Sequence, residues 1–470
     1  MAERLIPTPD PLDAFARLAH LPYPILLDSA ERGPRGRYSY AMADPVTVVR
    51  SKGARTERLT NGEWCATAGD ALSVVRAILG DEPAERLTDV PPFQAGAAGY
   101  IGYDWGATLE RVPSAPLDDL ALPDVLLGMY DTVVAWDHDE DAAWIVSSGI
   151  GGREPAPRLA AVNRLLSVDA PRAPAAPAHS VCVPARAATF PASAFSPLAV
   201  TSTFTPDAYR AAVSRVVEYI LAGDAFQVNL SQRFEVAVEE DALTLYRRLR
   251  TRHAASFSAF VDAGSFQVLS ASPERFLRVD GRHVETRPIK GTRPRGDSPH
   301  ADAALAAELE HSAKDRAENV MIVDLLRNDL SRVCRPGTVR VPELCVSERH
   351  PTVHHLVSTI TGELEPAAAW DDLLRASFPG GSITGAPKIR AMEIIAELEP
   401  TQRGVYCGSI GYISVTGDME ASIAIRTAVL RDGIAYVSAG GGITAQSDPA
   451  AEYDETLVKA HGILSALAGR

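Results

Sequence analysis

The chain has 470 residues, of which 46% are hydrophobic and 23% are charged, as in most globular proteins. The formal net charge of −14 argues against a nucleic-acid-binding surface, which needs a basic face. No stretch approaches the roughly 18 apolar residues that a membrane helix needs. The start of the chain contains no signal-like apolar segment, and the five cysteines show no metal-like spacing. We therefore expect a cytoplasmic protein with reduced thiols and without a nucleic-acid or membrane partner.

A chain of this length exceeds one ordinary hydrophobic core, so we expect two domains or one large composite domain. Residues 1–170 contain short alternating runs that predict antiparallel strands. Residues 171–203 begin with a stretch rich in proline and alanine and predict a connector. Residues 204–470 mix hairpins with helices, which favours an α+β fold over a strictly alternating one.

The part after the connector shows the clearer element signals. They predict a helix that ends at Gly223, a strand with one polar face, a long helix, a three-stranded meander and a last helix. The approximate bounds of these elements are 205–223, 226–231, 301–330, 406–415, 419–430, 434–439 and 448 onward.

Two predicted helices each carry two acidic residues three positions apart, Asp315 with Glu318 and Glu452 with Glu455. This spacing places each pair on one face of its helix. Two such faces could supply oxygen ligands to a hard cation such as Mg²⁺. The alternative is a solvated surface, with Glu455 and Lys459 forming an ion pair worth about 0.2–0.5 kcal/mol. Spacing alone favours the alternative.

Three consecutive glycines, Gly440, Gly441 and Gly442, follow an apolar run that predicts a strand. Their amides could cradle a carboxylate because no Cβ blocks its approach. A flexible turn is the alternative. Arg426 lies on the same strand face as Glu420, so it could bind a ligand carboxylate or pair with that glutamate.

Lys290 lies in a basic segment with Arg287 and Arg293. A lysine nucleophile needs a neutral amine, and burial or neighbouring cations lower its pKa. A solvated loop lysine is the commoner case. His354 and His355 offer acid–base chemistry near neutral pH, although a structural pair is again commoner. We identify no thiolate–histidine signature for splitting glutamine.

Segments that carry these residues follow one another in a specific order between about residues 205 and 465. They read GDAFQVNLSQRF from Gly223, SPERF from Ser272, RPIKGTRPRG from Arg287, DRAEN from Asp315, DLLRND from Asp324, HHLVS from His354, GSITGAPK from Gly381, IRT from Ile425, AGGGI from Ala439 and AEYDET from Ala451. A thinner match continues earlier in LLDS from Leu26 and GYIGYD from Gly99. In this order they resemble the chorismate-utilising enzymes of the anthranilate synthase component I family.

The resemblance implies an α+β fold in which helices flank a core of antiparallel sheets. It implies a Mg²⁺ site with Glu318 and Glu455 as direct ligands and with Asp315 and Glu452 acting through water. The metal would hold the ring carboxylate of chorismate and polarise its C4 hydroxyl. The implied catalytic residues are Lys290, Glu274 and His355, with Glu274 as acid and base for the leaving hydroxyl. The implied substrate contacts are Thr292, Ser382, Tyr412, Arg426, Gly440, Gly441, Gly442 and Lys459.

Two positions select the reaction that the resemblance implies. Family members that add water place a lysine at the position of Gln227, so water addition is disfavoured here. Anthranilate synthases read Pro-Ile-Ala-Gly-Thr where this chain reads Pro-Ile-Lys-Gly-Thr from Pro288. The lysine form implies that Lys290 bonds to C2 of chorismate and that ammonia then displaces it by adding at C4. Anthranilate synthesis, and a sensor that binds chorismate or tryptophan without catalysis, are the alternatives.

The resemblance also implies partners and a possible second ligand. No glutaminase or lyase domain is evident, so ammonia would come from a separate glutamine amidotransferase subunit, and a separate lyase would act on the product. Ser29 would lie in a tryptophan pocket. Tryptophan binding is in doubt because Ala254 and Ser256 stand where relatives often carry prolines.

Overall fold

The computed structural model describes residues 1–33, 35–167, 188–189, 199–351 and 353–468. Most of the predicted connector lies outside these residues. Within them the chain forms 25 strands and 11 α-helices. The strands build two antiparallel sheets of 13 and 12 strands, which confirms the predicted α+β class.

The strands are numbered in chain order. They are β1 (Ala2–Leu5), β2 (Ile25–Asp28), β3 (Tyr38–Met42), β4 (Thr47–Lys52), β5 (Arg55–Thr60), β6 (Glu63–Ala66), β7 (Gly96–Ile101), β8 (Val125–Tyr130), β9 (Thr132–Asp137), β10 (Ala142–Ser147), β11 (Ala188–Thr189), β12 (Thr201–Ser202), β13 (Gln227–Ala237), β14 (Phe257–Asp262), β15 (Gln267–Ser272), β16 (Arg275–Asp280), β17 (His283–Thr286), β18 (Ile289–Pro294), β19 (Arg340–Arg349), β20 (Val353–Glu363), β21 (Gly385–Ala386), β22 (Ser409–Ser414), β23 (Met419–Ile423), β24 (Thr427–Arg431) and β25 (Ile434–Ile443).

The α-helices are numbered in the same way. They are α1 (Pro11–Leu18), α2 (Ala71–Leu79), α3 (Gly106–Leu109), α4 (Pro155–Leu166), α5 (Pro206–Leu221), α6 (Ala242–Arg252), α7 (Pro299–His311), α8 (Ala313–Ser331), α9 (Trp370–Ser377), α10 (Lys388–Leu398) and α11 (Pro449–Leu467). None of the helices in the described part of the chain is long and apolar enough to cross a membrane.

Both sheets combine strands from before and after the connector. In the 13-stranded sheet β2 pairs with β14, with Leu26 opposite Phe260. In the 12-stranded sheet β7 pairs with β22, with Gly99 opposite Gly411. The segments 1–170 and 204–470 therefore share their hydrogen-bonded frame. The exact boundaries at 170 and 203 stay predictions.

The two sheets pack face to face, and helices cover their outer faces. The cluster between the sheets contains Val261 from one sheet and Tyr100 from the other. A second cluster joins the 13-stranded sheet to α1, α6 and α11, and a third joins the 12-stranded sheet to α2, α8, α9 and α10. Burial of each large aliphatic or aromatic side chain stabilises the fold by about 1.5–3 kcal/mol.

Two predicted elements differ from the structure because a local break is hidden in the hydrophobic pattern. The predicted long helix 301–330 is two helices, α7 and α8, because Ser312 interrupts it and accepts the amide of Asp315 at 3.3 Å as the cap of α8. The predicted strand 419–430 is also two strands, β23 and β24, which belong to different sheets. The chain changes sheet next to Arg426, whose φ is 50°.

Two helix starts are confirmed by their caps. Thr205 accepts the amide of Ala208 at the start of α5, and Asp448 accepts the amides of Ala450 and Ala451 at the start of α11. In both helices proline occupies the first turn, where its missing amide hydrogen costs nothing.

A chain that begins at residue 199 should fail to form a cooperative structure alone. Without the earlier residues, β14 and β22 lose their neighbours β2 and β7 and expose unpaired edges and the apolar cluster between the sheets. We expect this fragment to aggregate or to lack a cooperative thermal transition in circular dichroism. The full chain is the control, and a monomeric fragment with a sharp transition would contradict the shared frame.

Candidate active site

The candidate site lies where strands of the 12-stranded sheet approach strands of the 13-stranded sheet. Lys290 lies in β18 of the 12-stranded sheet, and its Nζ donates to the carbonyl of Ser382 at 2.7 Å. Ser382 belongs to the turn Gly381–Ile383, which lies beside β13 of the 13-stranded sheet. Glu274, directly before β16, is buried with 4% of its surface exposed.

A β-bulge directs Lys290 into this site. Ile289 pairs with Val357 and Thr292 with His355, so two residues of β18 oppose one residue of β20. Gly291 adopts a φ of 86°, and a Cβ there would lie 3.0 Å from the side chain of Asp315. The glycine after the lysine is therefore required both by its backbone conformation and by the close approach of α8.

Burial changes the pKa values of Lys290 and Glu274 in the directions that favour the uncharged side chains. Burial lowers the pKa of Lys290, although the carboxylates of Glu274 and Glu318 oppose the shift. Burial raises the pKa of Glu274 to about 7, against a hydrogen bond from the Ser382 side chain and the charge of Lys290. A neutral amine is a nucleophile and a neutral carboxyl is a proton donor, and both pKa shifts are in the direction that favours these forms.

His355 is a neutral neighbour of this pair. Its Nδ1 lies 2.9 Å from the Oγ1 of Thr292 across β18 and β20. Burial, together with the nearby charge of Arg426, lowers the pKa of His355 to about 3. The ring therefore remains uncharged at neutral pH and acts as a hydrogen-bonding group rather than as a cation.

Arg426 provides an unpaired cation at the point where the chain changes sheet. In the described residues its guanidinium forms no hydrogen bond or ion pair, and it remains accessible to solvent. Surrounding protein atoms lower its pKa, and only Glu31 opposes that shift. The alternative partner Glu420 instead binds Arg275 at 2.8 Å. An unpaired guanidinium in such a place is suited to a ligand carboxylate.

The three glycines belong to the last part of β25 rather than to a turn that follows the strand. Leu230 of β13 pairs with Gly441, and Ser231 pairs with Gly440. A Cβ on Gly441 would lie 3.2 Å from Glu452 Oε2 and 3.3 Å from Glu455 Oε1. The absence of side chains therefore allows α11 to bring its two acids against the strand.

The acidic residues of α8 and α11 lie within electrostatic reach of one another. Burial raises the pKa of Glu318, and the charges of Asp315 and Glu452 add to this rise against Lys290 and Lys314. Burial also raises the pKa of Glu452, which accepts the Ser447 hydroxyl at 2.6 Å. Carboxylates that repel one another in a partly buried place are stabilised by a divalent cation.

The remaining acids carry basic partners. Glu455 pairs with Lys459 at 2.6 Å, so the ion pair expected for a solvated surface is present. Lys459 also donates to the carbonyl of Gly440 at 2.9 Å, and Asp315 pairs with Arg293 at 3.1 Å. Among the described residues no three His, Cys, Asp or Glu side chains converge into a metal cluster. Mg²⁺ needs only one or two carboxylates besides water and substrate oxygens, so the oxygen donors of Glu318 and Glu455 fit it.

Tyr412 and Ser29 lie in a different cavity, between the sheets. Tyr412 stacks on Phe93 at a ring distance of 4.5 Å and contacts Tyr40 edge-on. The same cavity is lined by Ser29 and Ser256, and the Ser29 hydroxyl donates to the carbonyl of Tyr38 at 2.6 Å. Tyr412 is therefore not brought together with Lys290, because its strand position faces the aromatic core. The occupant of the cavity stays a prediction.

Asn229 and Cys407, to which we assigned no role, lie close to the site, as does Gln227. Asn229 donates to the Ser382 carbonyl at 2.7 Å, beside the buried side chain of Gln227. The Gln227 Oε1 has no hydrogen-bond partner in the described part of the chain. Cys407 lies close enough to influence Lys290, and burial raises its thiol pKa to about 11. The polar face of the predicted strand 226–231 carried a signal for Gln227 and Asn229, whereas nothing marked Cys407.

In the native chain the free energy of unfolding should fall as pH rises, and replacement of Glu274 by glutamine should make this fall smaller. The folded-state pKa of about 7 lies above the ordinary value of 4.5, so folding is favoured at low pH and is weakened as pH rises through this range. This carboxyl accounts for up to about 3 kcal/mol of that loss. Urea unfolding at pH 5 and pH 8 measures it, with the exposed Glu63→Gln as control. Equal pH dependence in the native chain and Glu274→Gln would contradict the buried neutral carboxyl.

Comparison with known proteins identifies the family. The family model of the chorismate binding enzymes matches residues 25–465. The chain is 43% identical over 455 residues to aminodeoxychorismate synthase component 1 of Salmonella typhimurium, covering 96% of this chain and 95% of the relative. It is 40% identical over 459 residues to anthranilate synthase component 1 of Thermus thermophilus, covering 97% and 95%. The crystal structure of anthranilate synthase component I from Streptococcus pneumoniae shares 32% identity and a TM-score of 0.79, covering 92% and 93%. The chain therefore belongs to the chorismate-binding enzyme family.

Proposed function

We propose that the chain aminates chorismate at C4 to give 4-amino-4-deoxychorismate, with Lys290 as a covalent nucleophile. The observation that carries this proposal is the partly buried Lys290 amine within electrostatic reach of the buried Glu274 carboxyl, with the pKa of the amine lowered and that of the carboxyl raised. The Salmonella relative named aminodeoxychorismate synthase component 1 supports the same reaction. Gln227 supports it further, because an amide side chain cannot act as the base that would activate water.

Chorismate would be held by its two carboxylates. Arg426, with its guanidinium unpaired among the described residues, would bind the carboxylate of the enolpyruvyl arm. The backbone of Gly440, Gly441 and Gly442 would lie against the substrate because no side chain intervenes. Thr292 and Ser382 would line the ring, and Lys459, fixed to the Gly440 carbonyl, would stand beside the glycines.

The ring carboxylate would be held near the acidic residues of α8 and α11 by a Mg²⁺ ion between them. Glu318 and Glu455 would be direct ligands of Mg²⁺, while Asp315 and Glu452 would act through water. Glu455 would exchange its contact with Lys459 for the metal, a small cost because that pair is half-exposed. Mg²⁺, when bound, supplies positive charge to the ring carboxylate and to the departing C4 hydroxyl.

The first step forms a bond from Lys290 Nζ to C2 of chorismate. The C1–C2 double bond moves to C1–C6, the C5–C6 double bond moves to C4–C5, and the bond from C4 to its hydroxyl breaks. Glu274 donates its proton to this hydroxyl, which leaves as water. The hydrogen bond from Nζ to the Ser382 carbonyl holds the amine in position for this attack.

The second step reverses the movement of electrons. Ammonia bonds to C4, the double bonds return to C1–C2 and C5–C6, and the bond from C2 to Lys290 breaks. The proton that the new amine gives up returns to the Glu274 carboxylate, so the site is restored. His355, uncharged, would hold the Thr292 hydroxyl toward the ring.

Ammonia would come from a separate glutamine amidotransferase subunit, and a separate lyase would convert the product to p-aminobenzoate for folate synthesis. The relative's name, component 1, supports an assembly with a second component. Neither partner is needed to test the chemistry, because an ammonium salt can supply the nucleophile directly.

Incubation of the chain with chorismate, Mg²⁺ and an ammonium salt should produce 4-amino-4-deoxychorismate. Lys290→Ala should lower kcat by at least about 100-fold, because a positioned nucleophile contributes an effect of this size. Chromatography that resolves aminodeoxychorismate from anthranilate measures both outcomes.

The exposed Lys52→Ala, in β4 and away from the site residues, is the control, and it should retain most of the turnover rate. Fluorescent anthranilate formed without added lyase would contradict amination at C4 and would favour anthranilate synthesis. A folded chain that binds chorismate and Mg²⁺ without any turnover would favour a sensor.

Glu318→Gln and Glu455→Gln should each raise the Mg²⁺ concentration needed for half-maximal turnover by about tenfold or more. The physical reason is the loss of a negatively charged oxygen ligand from a site with few protein ligands. The control is Asp454→Asn, an exposed acid on the same helix. An unchanged Mg²⁺ dependence in both glutamate variants would show that these acids do not hold the metal.

A further inference from the structure

A buried ion pair, Arg403 with Glu399, lies behind the site and contacts no predicted ligand position. Both side chains are at most 5% exposed, and their oxygen and nitrogen atoms meet at 2.7 and 2.9 Å. The guanidinium also stacks over the ring of Tyr103 at 4.5 Å. A buried pair of this kind costs desolvation energy, so its presence is weak evidence for added stability.

The pair connects the two backbone segments that form one wall of the site. Arg403 donates from Nη1 to the carbonyl of Ile383 at 3.0 Å and from Nη2 to the carbonyl of Asn229 at 2.8 Å. Glu399 accepts the amide and the hydroxyl of Ser231 at 2.8 and 2.9 Å. Every nitrogen of the guanidinium therefore donates to at least one protein acceptor.

Both segments are connected to the Ser382 carbonyl, which accepts the hydrogen bond of the Lys290 amine. Ile383 directly follows Ser382, whose carbonyl accepts Lys290 Nζ at 2.7 Å and Asn229 Nδ2 at 2.7 Å. The amide of Asn229 in turn donates to the carbonyl of Thr384 at 2.8 Å. A shift of the Ile383 or Asn229 backbone would therefore move the Ser382 carbonyl, which is the hydrogen-bond acceptor of Lys290 among the described residues.

We propose that Arg403 is a positioning residue for Lys290: by clamping Ile383 and Asn229 it fixes the Ser382 carbonyl that orients the amine. A neutral amine that donates one hydrogen to a fixed carbonyl has its lone pair directed away from that carbonyl and a restricted orientation. Displacement of a nucleophile by about 1 Å can cost on the order of 100-fold in rate. This inference rests on the proposed covalent role of Lys290.

The experiment compares Arg403→Met, Arg403→Lys and Glu399→Gln with the native chain in ammonium-dependent turnover of chorismate. We expect kcat to fall by about 10- to 100-fold in Arg403→Met, while KM for chorismate changes by less than about threefold. The kcat of Arg403→Lys should lie between those of the native chain and Arg403→Met, because an ammonium group can retain the charge and part of the hydrogen bonding. Glu399→Gln should also lower kcat, because the guanidinium loses its charged partner.

The pH profile distinguishes positioning from a general loss of structure. The hydrogen bond from Nζ to the Ser382 carbonyl stabilises the charged form of Lys290. A displaced carbonyl should therefore move the acidic limb of the kcat profile to lower pH in Arg403→Met. The control is Asp131→Asn, which breaks the pair of the buried Asp131 carboxylate with the partly exposed Arg158 in the part of the chain before the connector. It should lower the unfolding temperature without changing kcat or its pH profile.

Native kcat and an unshifted pH profile in folded Arg403→Met would overturn the positioning role. If Arg403→Met does not fold, the same two results in Glu399→Gln would overturn it. An equal loss of kcat in Asp131→Asn would also overturn it, because the effect would then follow from stability alone. A native chain that does not turn over chorismate would instead overturn the proposed function.

Discussion

The rest of the site depends on the desolvation of Lys290 and Glu274, which makes the charged form of each side chain costly and leaves the two within electrostatic reach of one another. Burial lowers the pKa of the amine and raises the pKa of the carboxyl to about 7, while their mutual attraction opposes both shifts. Desolvation is the largest effect for each group, so it makes the charged form of both less favourable than in water. The bulge at Gly291 directs Lys290 into the site, and the Ser382 carbonyl accepts its amine. Arg403 in turn binds the carbonyl of Ile383, which follows Ser382.

The two-sheet frame explains why the ligands for a dianionic substrate lie around that enclosure. The 12-stranded sheet supplies Lys290 and His355, whereas the 13-stranded sheet supplies the three glycines. Arg426 stands where the chain passes from one sheet to the other, and this passage leaves its guanidinium without a partner among the described residues. Because strands from both ends of the chain build the sheets, the site depends on long-range pairing rather than on any single segment.

Sequence patterns predicted the features that local chemistry determines. The α+β class and the capped starts of α5 and α11 follow from periodicity and from Thr205 and Asp448. The break at Ser312 was missed because the helical pattern continues across it, and the glycine run was misassigned because its strand pairing is non-local. Tyr412 was grouped with the substrate contacts, yet only the packing of the sheets shows that it faces the aromatic core. The Arg403 network had no sequence signal, since its acceptors are backbone carbonyls.

The covalent bond from Lys290 to C2 is the central claim, and peptide mass spectrometry tests it most directly. The chain would be mixed with chorismate and Mg²⁺ in the absence of ammonia, quenched, digested and analysed for a modified lysine. The account predicts an adduct of chorismate minus one water on the peptide that contains Lys290, and its disappearance after ammonium salt is added. An unmodified Lys290 in a sample that aminates chorismate as soon as ammonium is supplied would contradict the account.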